Sequence, residues 1–148
     1  MKKENQFLLW FKKYKLDFNS ILSQPNMDHP MKVLIIDDNQ DITGLLSRFL
    51  TANGFENVIT NDPVEGIELI KKEKYDFVLL DIAMPEFSGR DIIHALESEN
   101  ILKDQKIIIF SAYAFSEPVI NELLEKEGVH SFLRKPLKLD TILTVISS

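Results

Sequence analysis

The sequence predicts a doubly wound α/β fold, in which helices cover both faces of a five-stranded parallel sheet. From Met31 onward, five short apolar runs alternate with five segments whose apolar residues recur at helical spacing. The apolar runs contain few polar residues, which is typical of strands buried on both faces of a parallel sheet. Connections between parallel strands are right-handed, so this alternation predicts a sheet wound in both directions.

The elements follow one another at regular intervals. The predicted strands are 33–36, 58–60, 77–80, 107–110 and 131–134. The apolar faces of the predicted helices include Ile42 to Leu50, Val64 to Ile70, Ile92 to Leu96, Val119 to Leu124, and Leu139 to Ile146.

Helix boundaries are indicated by a few residues outside these apolar faces. Asp62 followed by Pro63 predicts a helix start, and Glu65 stands where a capping box would need it. Gly54 and Gly128 stand where the first and fourth helices are expected to stop.

Charge divides the chain near Pro30. Residues 1–30 hold five lysines and three acids, whereas the remainder holds 12 basic and 20 acidic residues. The stretch from Ser23 to Pro30 is rich in turn-forming residues and is predicted to be a linker. We therefore predict a helical N-terminal extension over 1–30 and one folded domain over 31–148, which is long enough to bury a core.

Composition excludes several classes of function. The net charge of −6 argues against direct binding of nucleic acid, which needs a basic surface. The absence of cysteine excludes disulfides, zinc–thiolate sites and cysteine nucleophiles. No apolar run is long enough to span a membrane, and the N-terminus lacks the pattern of a signal peptide. We expect a cytoplasmic protein.

Polar side chains follow four of the five predicted strands, at the point where each strand ends. They are Asp37 with Asp38, then Asp81, Ser111 and Lys135. Each residue taken alone is more often a helix cap or a turn residue. Because the carboxyl ends of parallel strands meet at one edge of the sheet, four such coincidences predict a functional cluster.

The chemistry of this cluster suggests phosphoryl transfer. Three neighbouring carboxylates repel one another, and a divalent cation with oxygen ligands, Mg²⁺ above all, would neutralise them. A cation and a lysine around one carboxylate form a pocket for a phosphoryl group. The carboxylate itself would be the nucleophile and would form an acyl phosphate.

The motifs match those of a known family. Asp37-Asp38, the run from Asp81 to Gly89, Ser111-Ala112 and Lys135-Pro136 occur in order. With these motifs, residues 31–148 resemble the receiver domain of two-component response regulators. The resemblance implies a flavodoxin-like sheet of strand order 2-1-3-4-5. It also implies a signalling domain that catalyses its own phosphorylation and dephosphorylation, rather than an enzyme.

The resemblance assigns a role to each site residue. Asp81 would accept phosphate from a sensor histidine kinase or a phosphotransfer protein. Asp38 would bind Mg²⁺ directly and Asp37 partly through water, beside Asp81 and the backbone carbonyl of Ala83. Lys135 would contact the phosphoryl oxygens.

The resemblance also implies a switch. Ser111 would move to bind the phosphate, Phe132 would rotate inward with it, and Pro136 would follow a cis peptide bond. The output would be the face formed by the fourth helix, fifth strand and fifth helix, which binds a downstream protein. We expect no C-terminal output domain, and a phosphate relay to another histidine is equally compatible. Ala83 and Tyr113 occupy positions that tune dephosphorylation, and they leave the phosphate lifetime open.

Two other functions were weighed. Haloacid-dehalogenase-type phosphatases need a second Asp two residues after the nucleophile, where this chain has Ala83. A phosphorylation-independent scaffold with a receiver fold usually lacks an acidic residue or the lysine, and this chain keeps them all. The three histidines show no spacing typical of metal ligands.

The first thirty residues carry a separate pattern. Five apolar residues alternate at spacings of four and three, as in a heptad seam: Phe7, Phe11, Tyr14, Phe18 and Ile21. Three interpretations stay open. The segment packs on its own domain or a partner, including as a dimerisation helix; it is an upstream extension absent from the native product; or, least favoured, it lies on an acidic membrane surface.

Overall fold

The computed structural model describes residues 30–136 and 138–146. The predicted N-terminal extension and linker, as far as His29, lie outside the described residues. Within them, five strands and five helices alternate, as the sequence predicted. The strands are β1 (Lys32–Ile36), β2 (Glu56–Thr60), β3 (Phe77–Asp81), β4 (Ile107–Ser111) and β5 (Val129–Arg134). The helices are α1 (Gln40–Ala52), α2 (Pro63–Lys72), α3 (Gly89–Ser98), α4 (Glu117–Leu124) and α5 (Leu139–Ile146), with a 3₁₀ turn at Leu102–Asp104.

The strands form one parallel sheet in the order β2-β1-β3-β4-β5. This confirms the predicted flavodoxin-like order. The register aligns the strand ends, because Ile36 pairs with both Thr60 and Leu80, and Ser111 pairs with Arg134. The carboxyl ends of all five strands therefore meet along one edge of the sheet.

Buried apolar side chains form two core layers, one on each face of the sheet. One layer joins alternate strand residues such as Leu34 and Leu80 to buried residues of α2, α3 and α4. The other joins Ile35 and Leu79 to α1 and α5. This double cover explains why the inner strands are almost wholly apolar. None of the described helices is long and apolar enough to cross a membrane.

The helix starts differ in part from the prediction. Asp62 caps α2 as expected, since its Oδ1 accepts a hydrogen bond from the Val64 N–H, and Pro63 is the first helical residue. The predicted capping box at Glu65 is wrong, because Glu65 accepts a hydrogen bond from the hydroxyl of Thr60 instead. A capping box occurs at α3, where Ser88 and Asp91 satisfy each other's backbone N–H groups.

Two strands begin two residues earlier than predicted. β2 starts at Glu56 and β5 at Val129. In β5 the pairing with β4 is irregular, because Ile107 pairs with Val129 and Ile108 with Ser131. This register shift hid the start of β5 from its sequence pattern. Gly128 adopts a left-handed conformation with φ of 102°, but it lies four residues beyond α4 and does not end that helix.

Candidate functional site

Three carboxylates meet at the carboxyl edge of the sheet. Asp37 and Asp38 follow β1, Asp81 ends β3, and one oxygen of each lies within 4.8 Å of the others. Asp37 and Asp81 are buried, whereas Asp38 is exposed to solvent. The proximity arises because β1 and β3 are neighbours in the sheet. The cluster predicted from the strand ends is therefore present in the fold.

Lys135 lies directly beside the two buried carboxylates. Its Nζ is 3.1 Å from Oδ2 of Asp37 and 3.6 Å from Oδ2 of Asp81. The lysine follows β5, and its backbone N–H donates a 2.7 Å hydrogen bond to the carbonyl of Ser111. The peptide bond between Lys135 and Pro136 is cis, as expected. Lys135 therefore contributes a positive charge to a pocket that otherwise holds carboxylates.

Burial and mutual repulsion affect the protonation of the acidic pair after β1. Loss of hydration raises the pKa of Asp37 above its usual value of 3.8, and the neighbouring Asp81 carboxylate raises it further. The Asn39 N–H and Lys135 partly oppose this rise in pKa. Partial loss of hydration also raises the pKa of Asp38, and contact with Asp37 adds to the effect. The site thus holds negative charge at an energetic cost.

The backbone after Asp81 is tightly packed. Oδ1 of Asp81 accepts a 3.1 Å hydrogen bond from the Ala83 N–H, so the backbone of Ala83 borders the cluster. Gly89, the first residue of α3, sits on the Asp81–Ile82 peptide. A Cβ atom at Gly89 would lie 2.5 Å from the Asp81 carbonyl oxygen and 2.6 Å from the Cα of Ile82. This contact requires a glycine, which lets α3 begin directly against the end of β3.

The two predicted switch residues, Ser111 and Phe132, lie on β4 and β5. Ser111 ends β4 and is buried, and its Oγ accepts a 3.1 Å hydrogen bond from the Tyr113 N–H. Tyr113 itself is 67% exposed. Phe132 on β5 is half-buried and packs edge-to-face on Phe115, with 6.1 Å between the ring centroids. The two switch positions are therefore connected through the loop that follows β4.

Two asparagines support the acidic cluster and were missed in the sequence. The Asn39 N–H donates a 2.9 Å hydrogen bond to Oδ1 of Asp37, and the Asn39 side chain caps α1. Asn61, directly after β2, donates a 2.7 Å hydrogen bond from its Nδ2 to the Asp37 carbonyl oxygen. Asp37 was selected by the strand-end rule, which takes polar residues directly after a strand as candidates for the site. The same rule selects Asn61, but an isolated asparagine after a strand is typical of a turn.

The donor set fits a hard divalent cation. Among the described residues, the cluster offers three carboxylates and neither histidine nor thiolate. Such an all-oxygen set suits Mg²⁺. The three carboxylates and the Lys135 ammonium leave two negative charges unbalanced when all are ionised, and one divalent cation would neutralise them. His94 and His130 are not among the residues of this cluster, and His29 lies outside the described residues.

Comparison with known proteins agrees with this architecture. The family model described as the response regulator receiver domain matches residues 33–147. The polar-differentiation response regulator DivK of Brucella anthropi is 26% identical over 119 residues, covering 80% of this chain and 95% of DivK. The CAI-1 autoinducer sensor kinase/phosphatase CqsS of Vibrio cholerae is 28% identical over 142 residues, covering 95% of this chain but 20% of CqsS.

The solved structure of another response regulator shows the same fold. It is a response regulator from Burkholderia pseudomallei with a phosphorylated aspartic acid, a calcium ion and citrate. The two chains superpose with a TM-score of 0.68 at 27% identity, over 78% of this chain and 66% of the other. The carboxyl edge of the sheet, where Asp37, Asp38 and Asp81 meet, is the acidic edge. From the match over residues 33–147, together with the sheet order and the acidic edge, it follows that this chain belongs to the response regulator receiver domain family.

Proposed function

We propose that this receiver domain accepts a phosphoryl group on Asp81 from the phosphohistidine of a sensor kinase or phosphotransfer protein, in a reaction that depends on Mg²⁺. The observation that carries the proposal is the environment of Asp81. This buried carboxylate lies beside two further carboxylates and 3.6 Å from a lysine ammonium. The phosphorylated aspartic acid and the calcium ion in the Burkholderia relative support the same chemistry.

The reaction needs no further reactant from this chain. A carboxylate oxygen of Asp81 attacks the phosphorus, and the bond between phosphorus and the imidazole nitrogen breaks with its electron pair left on nitrogen. Asp81 becomes an acyl phosphate. Asp37, Asp38, Asp81 and the Ala83 carbonyl would hold the cation, which supplies countercharge for the phosphoryl oxygens. Lys135 already lies near Asp81 and would contact the same oxygens.

The output follows from a shift between two arrangements of the loops at this edge. A phosphoryl group adds charge and hydrogen-bond acceptors, which Ser111 and Lys135 would bind better in one arrangement. Ser111 would then give up its hydrogen bond from Tyr113, and Phe132 would move with the loop. We place the partner surface on α4, β5 and α5, where a downstream protein would bind.

We expect this domain to act in the cytoplasm. The relatives suggest two settings for it. DivK is matched over nearly its full length, which favours a stand-alone response regulator. CqsS carries its matching region within a larger sensor kinase. The domain either switches a partner or relays the phosphate to another histidine, and a phosphorylation-independent scaffold is the alternative. We expect no direct contact with nucleic acid.

Phosphorylation of Asp81 is tested by intact-mass spectrometry. The full chain and Asp81→Asn are incubated with acetyl phosphate, with and without Mg²⁺. We expect a phosphoryl adduct only on the wild-type chain and only with Mg²⁺, because asparagine has no ionised oxygen to act as the nucleophile.

The control for folding is the circular dichroism spectrum, which should be the same for both proteins. Normal labelling of Asp81→Asn would disprove the acceptor assignment. A folded wild-type chain that stays unlabelled would favour the scaffold function.

We also propose that residues 1–30 form a helical segment that mediates self-association or docking. The heptad seam from Phe7 to Ile21 supports this, with five lysines beside it. The match to CqsS extends over 142 residues, more than residues 31–148 can supply, so part of the extension also resembles a natural sequence. We therefore favour a native segment over an upstream artefact.

Gel filtration of the full chain against a chain that starts at Met31 tests self-association. We expect the full chain to elute as a larger oligomer, since the apolar seam would pair with a second copy. The elution volumes should converge on dilution if the association is reversible. Elution of both chains as the same oligomer would remove self-association and leave docking to another protein.

A further inference from the structure

Asn61 connects the end of β2 to the loop that carries the acidic pair. Its side-chain Nδ2 donates two hydrogen bonds, one of 2.7 Å to the Asp37 carbonyl oxygen and one of 3.1 Å to Oγ1 of Thr43. Thr43 is a buried polar residue of α1, and its hydroxyl donates in turn to the carbonyl of Gln40. One amide group thus links the start of the β1–α1 loop to the first turn of α1.

Asp37 is consequently held on several sides. Its backbone N–H donates to the carbonyl of Thr60, its carbonyl accepts from Asn61, and its Oδ1 accepts from the Asn39 N–H. The first two contacts come from the end of β2 and the residue after it. They fix the peptide groups on both sides of the Asp37 Cα, and thereby the direction in which Asp37 and Asp38 leave the sheet.

Asn61 is itself fixed by its neighbours. The Thr60 hydroxyl accepts a hydrogen bond from the Asp62 N–H and donates to Glu65, and Asp62 caps α2. The loop between β2 and α2 is therefore held to the helix that follows it. The backbone at Asn61 is therefore held in one position. A residue that orients another group must itself be fixed in this way.

We propose that Asn61 is a positioning residue for the cation at the acidic edge, which acts by holding the Asp37–Asp38 loop in the arrangement that binds Mg²⁺. The inference rests on the Mg²⁺ site of the proposed function. The Asn61 side chain donates its hydrogen bonds to the Asp37 carbonyl and to Thr43, so its effect on the cation passes through the loop. Residues that orient metal ligands typically affect metal affinity by about tenfold or more.

The test is titration of the ¹⁵N-labelled full chain with MgCl₂, followed in amide spectra, for wild type and Asn61→Ala. We expect the dissociation constant for Mg²⁺ to rise about tenfold in the variant. A second readout is the rate of labelling by acetyl phosphate at several Mg²⁺ concentrations. The Mg²⁺ concentration for half-maximal rate should rise, while the rate at saturating Mg²⁺ stays within about twofold of wild type, because the occupied site regains its geometry.

Asn57→Ala is the matched control. Asn57 lies within β2 and, like Asn61, connects this part of the chain to α1, through hydrogen bonds with Ser47 and Thr51. These contacts lie one to two helical turns beyond Thr43, away from the acidic edge. A merely structural role predicts that both alanine variants lower the melting temperature and leave the Mg²⁺ affinity alone. A positioning role predicts that Asn61→Ala alone weakens Mg²⁺ binding.

Thr43→Val provides a second variant that keeps the side-chain shape. It removes one of the two acceptors of Asn61, and we expect a smaller loss of affinity, about two- to threefold. Should Asn61→Ala fail to fold, this variant decides the inference. An unchanged Mg²⁺ affinity in a folded Asn61→Ala, or in Thr43→Val in that case, overturns the inference and leaves the proposed function intact. A wild-type chain that shows no Mg²⁺-dependent shifts overturns the Mg²⁺ site and this inference together.

Discussion

Asp38 is the member of the acidic cluster that reaches solvent, while Asp37 and Asp81 are buried next to Lys135. At the scale of single residues, this arrangement separates two tasks. The lysine partly compensates the two buried carboxylates, whereas the exposed Asp38 forms no ion pair with any other described residue. Partial loss of hydration raises the pKa of Asp38, and the contact with Asp37 raises it further. We therefore expect Asp38 to favour cation binding at the expense of the metal-free fold.

Asp38→Asn should stabilise the chain in the absence of divalent cations. A carboxyl group whose pKa is raised by folding holds its proton to higher pH than in the unfolded chain. Its destabilising effect is therefore absent well below the ordinary pKa of 3.8 and grows as the pH rises through the folded-state pKa. At pH 7.5 we expect a gain of about 0.5–1 kcal/mol, a modest value because solvent screens the group. Thermal unfolding from pH 4 to pH 8 measures it.

Asp41→Asn is the control for this prediction. It removes the same charge from the first turn of α1, outside the cluster, where a carboxylate interacts favourably with the helix N-terminus. Its melting temperature should be unchanged or lower. Equal stabilisation by both variants would point to net charge rather than to the cluster.

The strand-end rule predicted the charged residues of the site but missed their supports. Asp37, Asp81 and Lys135 stand out because a charge directly after an apolar run needs an explanation. Asn61 is uncharged, and asparagine is common in turns. Its role depends on the pairing of β2 with β1, which brings it over the Asp37 carbonyl. That pairing is a tertiary fact that no local pattern contains.

At the scale of elements, two glycines in helices have opposite surroundings. A Cβ atom at Gly89 would meet the backbone of Asp81 and Ile82 at 2.5 and 2.6 Å, whereas nothing lies within 4 Å of one at Gly44 in α1. Glycine is necessary at the first position and only costs conformational entropy at the second. Substitution by alanine therefore separates the two cases.

Gly89→Ala should lower the free energy of unfolding by about 1–3 kcal/mol, because α3 must move away from the end of β3. Gly44→Ala should raise it by about 0.5–1 kcal/mol, since alanine favours the helix and meets open space. Urea denaturation measures both. Equal effects of the two substitutions would show that α3 does not press on the Asp81–Ile82 peptide as described.

Element types were predictable because apolar periodicity follows burial, but two boundaries were not. At β5, His130 falls at the shift between the Ile107–Val129 and Ile108–Ser131 pairs, which interrupts the alternation. At β2, Glu56 and Asn57 are polar residues of an edge strand, where backbone pairing to β1 does not require apolar side chains. Both errors arise where sheet pairing, rather than burial, sets the length of the strand.

At the scale of the whole molecule, we expect cation binding and folding to be linked. The described domain belongs to a segment with eight more acidic than basic residues, and three of these acids converge at one edge of the sheet.

The order of the strands is also a property of the whole molecule. The alternation of strands and helices is compatible with several orders, and the prediction of β2-β1-β3-β4-β5 came from resemblance rather than from the pattern.

Mg²⁺ should raise the melting temperature of the full chain. At ten times the dissociation constant, preferential binding to the folded state contributes about 1.4 kcal/mol, or roughly 5 °C for a domain of this size. NaCl of equal ionic strength is the control, because an acidic protein also gains from screening. Identical curves in the two salts would argue against a specific site.

The central position of β3 has a consequence for how the molecule opens. β3 pairs on both sides and contributes to both core layers, whereas β5 is an edge strand whose middle residues are half-buried. Local unfolding should therefore cost most at β3 and least at β5, and amide hydrogen exchange should be slowest at β3 and become faster toward β5. Asp81 thus ends the strand whose amides should exchange most slowly. A charge added to Asp81 would therefore be accommodated by movement of β5, whose amides should exchange faster.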